Sequence, residues 1–348
     1  MLLGEGDEAL ARELYPLLLR SVATIESAMD KDGVFHSPTD ELEQRYPSGN
    51  ANLANNCLAY KGARLAAKVA RSLGENRDEN HFISLAKRLE HGIEHHFGDV
   101  VEGFQTYQYF RGECDNSKAS KSIDQTTLRG WICMPLVAGI QRRREETLRA
   151  MFSDKLWVDN PGKECGLKPA SLDRELGCWP RQSYYGILAG FMAEAPDTTY
   201  LRLRSMLELH TYGAQGPYID EDGGDLLSPS ALLVRAVIEG VWGIDYLSFN
   251  EVAIRPQIPK EWNSLQLKGI RLCGRVVDLK VMRIGKRLDI QMFHKDELVR
   301  PSSQKAQQAT FNLSNLPRLK LEVPEIKLPL ATSHTRQWLE TYRGARRE

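Results

Sequence analysis

Long polar loops and very short connections alternate between the predicted helices of this chain, and this alternation constrains the fold more than any other feature. Apolar residues that recur at three- and four-residue spacing predict about eight helices, each with one buried face. The predicted helices cover residues 7–30, 50–74, 79–97, 123–141, 145–152, 180–194, 197–213 and 229–242. Such a series is typical of a stack of helical hairpins.

Three connections in this series are tight, and four are far longer than a usual helix–helix connection. The tight connections are Glu75–Asp78, Arg142–Arg144 and Ala195–Pro196. The long loops cover residues 31–49, 98–122, 153–179 and 214–228. Because consecutive turns of an up-and-down stack fall on opposite ends, alternate loops share an end. We therefore expect the four long loops to meet at one end of the stack, which we call the mouth.

The charge balance argues against a nucleic-acid or membrane partner. Lys+Arg and Asp+Glu both number 46, so no net field attracts a polyanion. No apolar run reaches the roughly 18 residues of a membrane span. The N-terminus becomes acidic too soon for a signal peptide. We expect a cytoplasmic protein as the sequence is written, or a periplasmic or secreted one if a leader precedes it.

The cysteines and histidines do not indicate a metal or a cofactor. The six cysteines include no Cys-x-x-Cys pair, which predicts scattered reduced thiols. His91 and His95 lie four residues apart on one predicted helix, but the glutamate-flanked zinc motif is missing. We expect these histidines to be solvated, and we predict no metal and no cofactor.

The pattern changes after Trp242, where short runs rich in β-forming residues replace the helical periodicity. Gly274 and Gly285 separate the later runs and mark turns. The runs cover residues 252–254, 265–272, 276–282 and 288–293. They predict a small antiparallel β-module behind the helices.

Four segments resemble a known superfamily. The segments IEGVWGI (238–244), IRPQIPKEW (254–262) and LKGIR (267–271) look like the junction between an (α/α)6 toroid and its C-terminal β-sandwich. That junction recurs in six-hairpin glycosidases, including α-L-rhamnosidase-like enzymes. TLRGWICMPL (127–136) also resembles members of this superfamily, so the likeness covers residues 7–293.

The resemblance implies a mainly α fold, a partial toroid of helical hairpins followed by a small antiparallel β-sandwich. It assigns residues 1–243 to the toroid-type catalytic domain, 244–330 to the sandwich, and 331–348 to a terminal tail or short helix. A full toroid has six hairpins, and the first two are absent from the predicted series. An open ring exposes apolar helix faces, which predicts self-association or closure by an additional N-terminal segment.

Glycoside cleavage needs a carboxylic acid that protonates the leaving oxygen and a second carboxylate that acts as base or nucleophile. The resemblance implies a general acid on the first long loop, which supplies Asp40, Glu41 and Glu43. Glu41 is the first choice among them. Glu113 on the second long loop is the rival candidate.

The resemblance also implies a catalytic base on the last long loop. Similar sequences carry a glutamate where this chain has Pro229, so Asp225 and Glu221 are the substitutes. Acidic residues beside glycine are equally typical of solvated turns, which is the alternative interpretation for both loops.

Aromatic and charged side chains near the loops suit a sugar, whose C–H faces stack on rings and whose hydroxyls need hydrogen-bond partners. The predicted substrate contacts are Asp40, Tyr109, Asp124, Arg129, Trp131, Trp179, Arg181 and Tyr184. Core packing is the alternative for the aromatic residues at helix starts.

We expect a glycoside hydrolase-like protein that acts on an oligosaccharide or glycoside by carboxylate acid and base catalysis. Pro229 and the missing hairpins favour an alternative, a catalytically inactive carbohydrate-binding or truncated remnant. A third hypothesis is an inverting disaccharide phosphorylase, which would need an anion pocket of Arg, Lys, Ser or His at the mouth.

Overall fold

The computed structural model describes residues 2–37, 39–40, 48–112, 124–160, 164–172, 177–212 and 227–319. Helices form the first part of the chain, and antiparallel strands form most of the second. The helices are α1 Leu2–Glu5, α2 Glu8–Ser27, α3 Leu53–Leu73, α4 Asn76–Gly92, α5 Met134–Ala138, α6 Arg144–Met151, α7 Pro180–Met192, α8 Pro196–Tyr212 and α9 Leu227–Arg235. Among the described residues, no helix combines the length and the apolar character that crossing a bilayer would require.

Three further helical segments adjoin these helices. A π-helix, Ile93–Phe97, continues α4, and a second one, Ala236–Val241, continues α9. A 3-10 helix, Gly130–Cys133, leads into α5. The two π-helices remain part of the hydrophobic core, since Ile93, Phe97 and Val241 are buried.

Helix α3 begins and ends close to the residues that its sequence pattern predicts. The side chain of Asn52 caps its first turn by accepting a hydrogen bond from the Asn55 N–H at 2.9 Å. The helix ends at Gly74, whose φ of 80° is the left-handed conformation that favours glycine. Alanines occupy much of its buried face and allow α4 to pack closely against it.

Helices α3, α5, α7 and α9 form one row in which each helix contacts the next. Helices α2 and α4 pack against α3, and α8 packs against α7. Each helix of the row follows one of the long loops. The row therefore directs the N-terminal ends of its helices toward the same end of the helical part.

The predicted helix over residues 123–141 is wrong in its first part. Residues 124–129 are not helical, and helical structure begins only at Gly130. Asp124 accepts hydrogen bonds from the N–H and hydroxyl of Thr126, at 2.9 and 2.7 Å, and these local bonds form a turn instead.

Three short antiparallel pairs in or directly after the long loops were not predicted. Strand β1 Ala51–Asn52 pairs with β4 Phe110–Arg111. The other two pairs are hairpins, formed by β2 Gly98–Val101 with β3 Phe104–Tyr107 and by β5 Trp157–Asn160 with β6 Glu164–Leu167. The long loops are therefore partly built from regular structure.

The later strands form two four-stranded antiparallel sheets, in the orders β12-β11-β10-β9 and β13-β14-β8-β7. The strands are β7 Ile244–Tyr246, β8 Glu251–Ile254, β9 Ser264–Leu272, β10 Arg275–Ile284, β11 Arg287–His294, β12 Glu297–Val299, β13 Ser303–Lys305 and β14 Gln308–Asn312. The predicted β-module is confirmed, and four of its strands lie outside the predicted runs.

The chain has two buried clusters, one in the helical part and one between the two sheets. Tyr246, Trp262 and Leu265 pack against both clusters. The helical part and the β part are thus in direct contact. The domain boundaries given above stay predictions.

Candidate functional site

The first and second long loops meet at the N-terminus of α3. Strand β1, at the end of the first loop, pairs with β4 of the second, with Ala51 opposite Arg111 and Asn52 opposite Phe110. The Leu53 N–H also donates to the Tyr109 carbonyl at 2.7 Å. The backbone of the second loop is therefore fixed beside the first turn of α3.

Asparagines in the first turn of α3 hold the first loop. The Asn56 side chain accepts from the Phe35 N–H at 2.8 Å and donates to the Phe35 carbonyl at 2.9 Å. Asn55 donates to the Thr39 carbonyl at 2.8 Å. The asparagine side chains thus satisfy backbone groups of an irregular loop, which has no regular backbone partners for them. They also fix the position of the loop just before Asp40.

Asp40 lies in a buried polar cluster with Tyr109 of the second loop and with Arg129, which follows that loop. The Tyr109 hydroxyl donates to Asp40 Oδ2 at 2.9 Å, and Asp40 is 8% exposed. The Arg129 guanidinium carbon lies 4.5 Å from the centroid of the Tyr109 ring, and Arg129 is 1% exposed. A carboxylate, a phenol and a guanidinium thus lie together where the loops meet, and we call them the mouth cluster.

Glu102 links the second loop to the third. Its Oε1 accepts from the Leu128 N–H at 2.9 Å and from the Ser171 hydroxyl, and its Oε2 accepts from Lys155 Nζ at 2.9 Å. Burial by itself would raise the pKa of Glu102, but these hydrogen bonds and the Lys155 charge lower it below the usual value. The carboxylate is therefore held in its charged form.

The backbone also joins the second and third loops next to the mouth cluster. Arg129 pairs with Ala170 in an isolated antiparallel bridge, and the Gly130 N–H donates to the Pro169 carbonyl at 3.0 Å. A Cβ on Gly130 would lie 2.5 Å from the Lys168 carbonyl oxygen, so this close approach requires glycine. The second loop thus contacts the first loop on one side and the third loop on the other.

Four of the predicted substrate contacts lie at the helix starts beside this cluster. Trp131 and Tyr184 have no exposed surface and belong to the helical core, so core packing replaces the expectation of sugar contact for both. Trp179 and Arg181 at the start of α7 are half-buried. The Arg181 guanidinium carbon lies 6.0 Å from the Trp131 ring centroid, which brings α7 next to the second loop.

Asp124 is exposed, and its carboxylate makes local hydrogen bonds. It accepts from Thr126 and from the Thr127 hydroxyl at 3.1 Å. The hydrogen bonds from Thr126 are the main cause of its lowered pKa. Asp124 therefore shapes the turn that leads to Arg129.

The predicted catalytic carboxylates Glu41, Glu113, Glu221 and Asp225 lie outside the described residues, as does Glu43. The described chain reaches Asp40, the residue before Glu41, inside the mouth cluster. Pro229 is buried near the start of α9. The roles of these carboxylates stay predictions.

Gln182 is a buried residue at this place that the sequence reasoning missed. It has no exposed surface, and neither its Oε1 nor its Nε2 has a hydrogen-bond partner in the described part of the chain. A Cβ on Gly130 would lie 2.6 Å from Gln182 Nε2. A glutamine at the third position of a helix does not indicate from sequence that its side chain will be buried. The repeated asparagines at 52, 55 and 56, in contrast, could have indicated that the first loop is anchored there.

In the residues that the structure describes, no group of three His, Cys, Asp or Glu side chains could hold a metal ion. The described cysteines are free thiols, and burial raises the pKa of Cys165 to about 12. A thiol with such a pKa is protonated near neutral pH and is a poor nucleophile.

A groove of about 930 Å³ lies toward the C-terminal ends of the row helices, away from the mouth. It is lined by α2, α3, α7 and the last helical segment, and we call it the lateral groove. Leu65 and Val234 on its walls are 47% and 60% exposed. Lys61 and Glu239 form an ion pair of 3.6 Å within it.

The described chain has a helical part followed by an antiparallel β part, and its likeness to solved structures supports a glycoside hydrolase-like fold. Among solved structures, the chain is similar to a sialidase, with a TM-score of 0.66 and 14% identity over 91% of this chain and 32% of that one. It also matches a GH78 family rhamnosidase of Bacillus sp. GL1, with a TM-score of 0.48 and 14% identity over 84% of this chain and 30% of that one.

The chain thus spans about a third of the length of these two structures. No protein-family model matches the sequence. No curated protein matches it either. At this level of identity, the likeness shows the fold alone.

Proposed function

We propose that this chain is a glycoside hydrolase-like protein that binds an oligosaccharide or glycoside at the mouth and cleaves it by carboxylate acid and base catalysis. The observation that supports this proposal best is the mouth cluster. Asp40 of the first loop accepts a hydrogen bond from Tyr109 of the second, the Arg129 guanidinium lies over the Tyr109 ring, and both charged residues are buried. Burying a charged group costs free energy, so such groups are found buried where they have partners or serve a function.

The proposed architecture is an open (α/α)6 toroid. The row of α3, α5, α7 and α9 corresponds to four of the six inner helices of such a ring, and the lateral groove lies between the first and last of them. The structural likeness to a sialidase over 91% of the chain supports a fold of this general class. The assignment to the toroid is our proposal.

In the proposed mechanism, Glu41 is the general acid and Glu113 is its rival. Asp225 or Glu221 acts as the base on water or as the nucleophile. Asp40 and Arg129 are buried, so their proposed role is to hold the loops that surround the sugar. Trp179 supplies an aromatic face, and Arg181 adds further donors at the start of α7.

Sugar binding can be tested without assuming activity. The Trp179→Ala variant should bind an oligosaccharide at least tenfold more weakly than the wild type, because it removes the stacking face. Trp262→Ala is the matched control, since Trp262 is also half-buried but packs between the helical and β clusters. Equal binding by the wild type and Trp179→Ala, with unchanged far-UV circular dichroism, would contradict the assignment.

Binding and turnover assays together test the alternative, that the chain is a catalytically inactive carbohydrate-binding remnant. It would bind sugars at the mouth and lose that binding in Trp179→Ala, but it would release no product from any glycoside. Detectable turnover that depends on a mouth carboxylate excludes it.

A further inference from the structure

A second concave site lies on the outer side of α4 near its C-terminal end. It is a pocket of about 490 Å³, and we call it the basic pocket. Its cationic or protonatable lining residues are Lys31, Lys87, Arg88, His91, His95 and His96. Asp32 is the acidic residue among those that line it.

Three cationic side chains, Lys31, Lys87 and Arg88, line the basic pocket together with one carboxylate, that of Asp32. No salt bridge joins Lys31, Lys87 or Arg88 to a carboxylate within the part of the chain that the structure describes. Other basic residues behave differently, since Arg71 pairs with Glu79 at 2.6 Å and Arg143 pairs with Glu94 at 3.2 Å. An excess of positive over negative side chains in one pocket favours a bound anion.

The π-helix brings the histidines of this pocket together. His91 and His95 are stacked with ring centroids 5.7 Å apart and planes within 10°. His95 and His96 meet edge to face at 5.0 Å. His96 Nε2 is buried, and none of the described residues hydrogen-bonds to it. Such π-helical turns are frequent at functional sites.

The basic pocket and the mouth cluster are built on the same two loops. The Gln108 N–H donates to the Phe97 carbonyl at 2.8 Å, and the Arg111 guanidinium donates to the His96 carbonyl. Tyr109, the partner of Asp40, lies between these two anchored residues.

The first loop makes the corresponding contact on the other side of the pocket. Gly33 has a φ of 84°, and a Cβ there would lie 2.3 Å from the Arg88 carbonyl oxygen. Glycine is therefore required for the loop to lie directly on α4. Asp40 of the mouth cluster follows seven residues later in the same loop.

We propose that the basic pocket binds the anionic group of an acidic oligosaccharide whose reacting end lies at the mouth. The proposal rests on the proposed function and narrows its substrate to sugars that carry a carboxylate, sulfate or phosphate group. A neutral sugar has no charge to pair with these side chains. An acidic sugar is attracted by several cationic side chains, and its negative charge also reduces the repulsion between them.

Calorimetric titration at low salt tests this proposal with a tetragalacturonate, its carboxyl-reduced neutral form, and inorganic phosphate. We expect the acidic tetrasaccharide to bind at least tenfold more tightly than the neutral one. The double variant Lys87→Ala/Arg88→Ala should lose at least tenfold in affinity for the acidic form and keep its affinity for the neutral form. The control Lys286→Ala/Arg287→Ala removes two exposed charges from the β part and should change neither affinity.

Equal affinity for the acidic and neutral tetrasaccharides, or no loss in the double variant, would overturn the proposal. Phosphate alone binding as tightly as the tetragalacturonate would also overturn it, because the pocket would then be a site for a free anion. Turnover of a neutral aryl glycoside by the wild type tests the mouth separately. Turnover without tighter binding of the acidic tetrasaccharide would refute only the role proposed for the basic pocket. Tighter binding of the acidic tetrasaccharide without any turnover would refute only the proposed hydrolysis.

Discussion

The hydroxyl of Tyr109 donates a hydrogen bond to Oδ2 of Asp40 at 2.9 Å across 69 residues of sequence. This bond joins two of the long loops in a buried setting. Tyr109→Phe removes the donor and leaves the carboxylate with one partner fewer. We expect a loss of about 1–3 kcal/mol in the free energy of unfolding, measured by urea denaturation.

Tyr200→Phe is the matched control for this variant. Tyr200 is half-buried on α8, and its ring packs edge to face against Trp262 with ring centroids 4.8 Å apart. Its substitution should change stability by no more than about 0.5 kcal/mol. An equally small change in Tyr109→Phe would show that the bond does not hold the loops together.

Glu102 should make stability depend on acid pH. Its hydrogen bonds from Leu128 and Ser171 and the Lys155 charge lower its pKa below the ordinary value of 4.5. A lowered folded-state pKa contributes stability above pH 4.5, and this contribution is lost as the pH falls through the folded-state pKa. Glu102→Gln should therefore be less stable than the wild type at pH 7, and the difference should shrink toward pH 3.

Urea denaturation of both proteins at several pH values from 7 to 3 measures this difference. Glu208→Gln is the control, because Glu208 forms an exposed ion pair with Arg204. A difference for Glu102→Gln that stays constant over this range would refute the assignment of the charge.

Gln182 is a buried amide without a hydrogen-bond partner among the described residues. Burying an unpaired polar group costs about 1–3 kcal/mol. Gln182→Met keeps the approximate volume and removes the polar atoms, so we expect the free energy of unfolding to rise by about 1 kcal/mol. Thermal and urea unfolding measure the change, and a marked destabilisation would show that the amide has a partner.

The lateral groove predicts self-association of the chain. Leu65 and Val234 are 47% and 60% exposed on its walls, and a contiguous apolar surface of this kind favours contact with a second copy. Sedimentation velocity should show a concentration-dependent dimer or larger species. Leu65→Glu/Val234→Glu should shift it toward the monomer, whereas Leu298→Glu on the exposed strand β12 should not. A wild type that is monomeric at every concentration would contradict this prediction.

Much of the fold follows from local patterns in the sequence. Helix α3 has a capping asparagine, an apolar face and a terminal glycine, so the predicted range 50–74 matches Leu53–Leu73 closely. The central strands of the β part were predicted for the same reason, because β-forming residues fill them and turn residues separate them. Residues 124–129 were misassigned because Asp124 bonds the following threonines, which periodicity does not register.

The site was less predictable, because it depends on contacts between distant residues. Asp40 and Tyr109 could each be selected as polar or aromatic residues near a loop end, but nothing in the sequence pairs them. Trp131 and Tyr184 look the same in sequence as Trp179, and only burial separates core residues from half-buried ones. Glu102 and Gln182 gave no pattern at all, since their environment comes from the third loop and from Gly130.

The most direct test of the account is the rate of hydrolysis of a panel of neutral and acidic aryl glycosides by the wild type and by four carboxylate variants. The variants are Glu41→Gln, Glu113→Gln, Glu221→Gln and Asp225→Asn. We expect turnover by the wild type, and a loss of about 10²–10⁴-fold in kcat in one variant of Glu41 or Glu113 and in one of Glu221 or Asp225. Wild-type kcat in all four variants, or no turnover of any glycoside by the wild type, would contradict it.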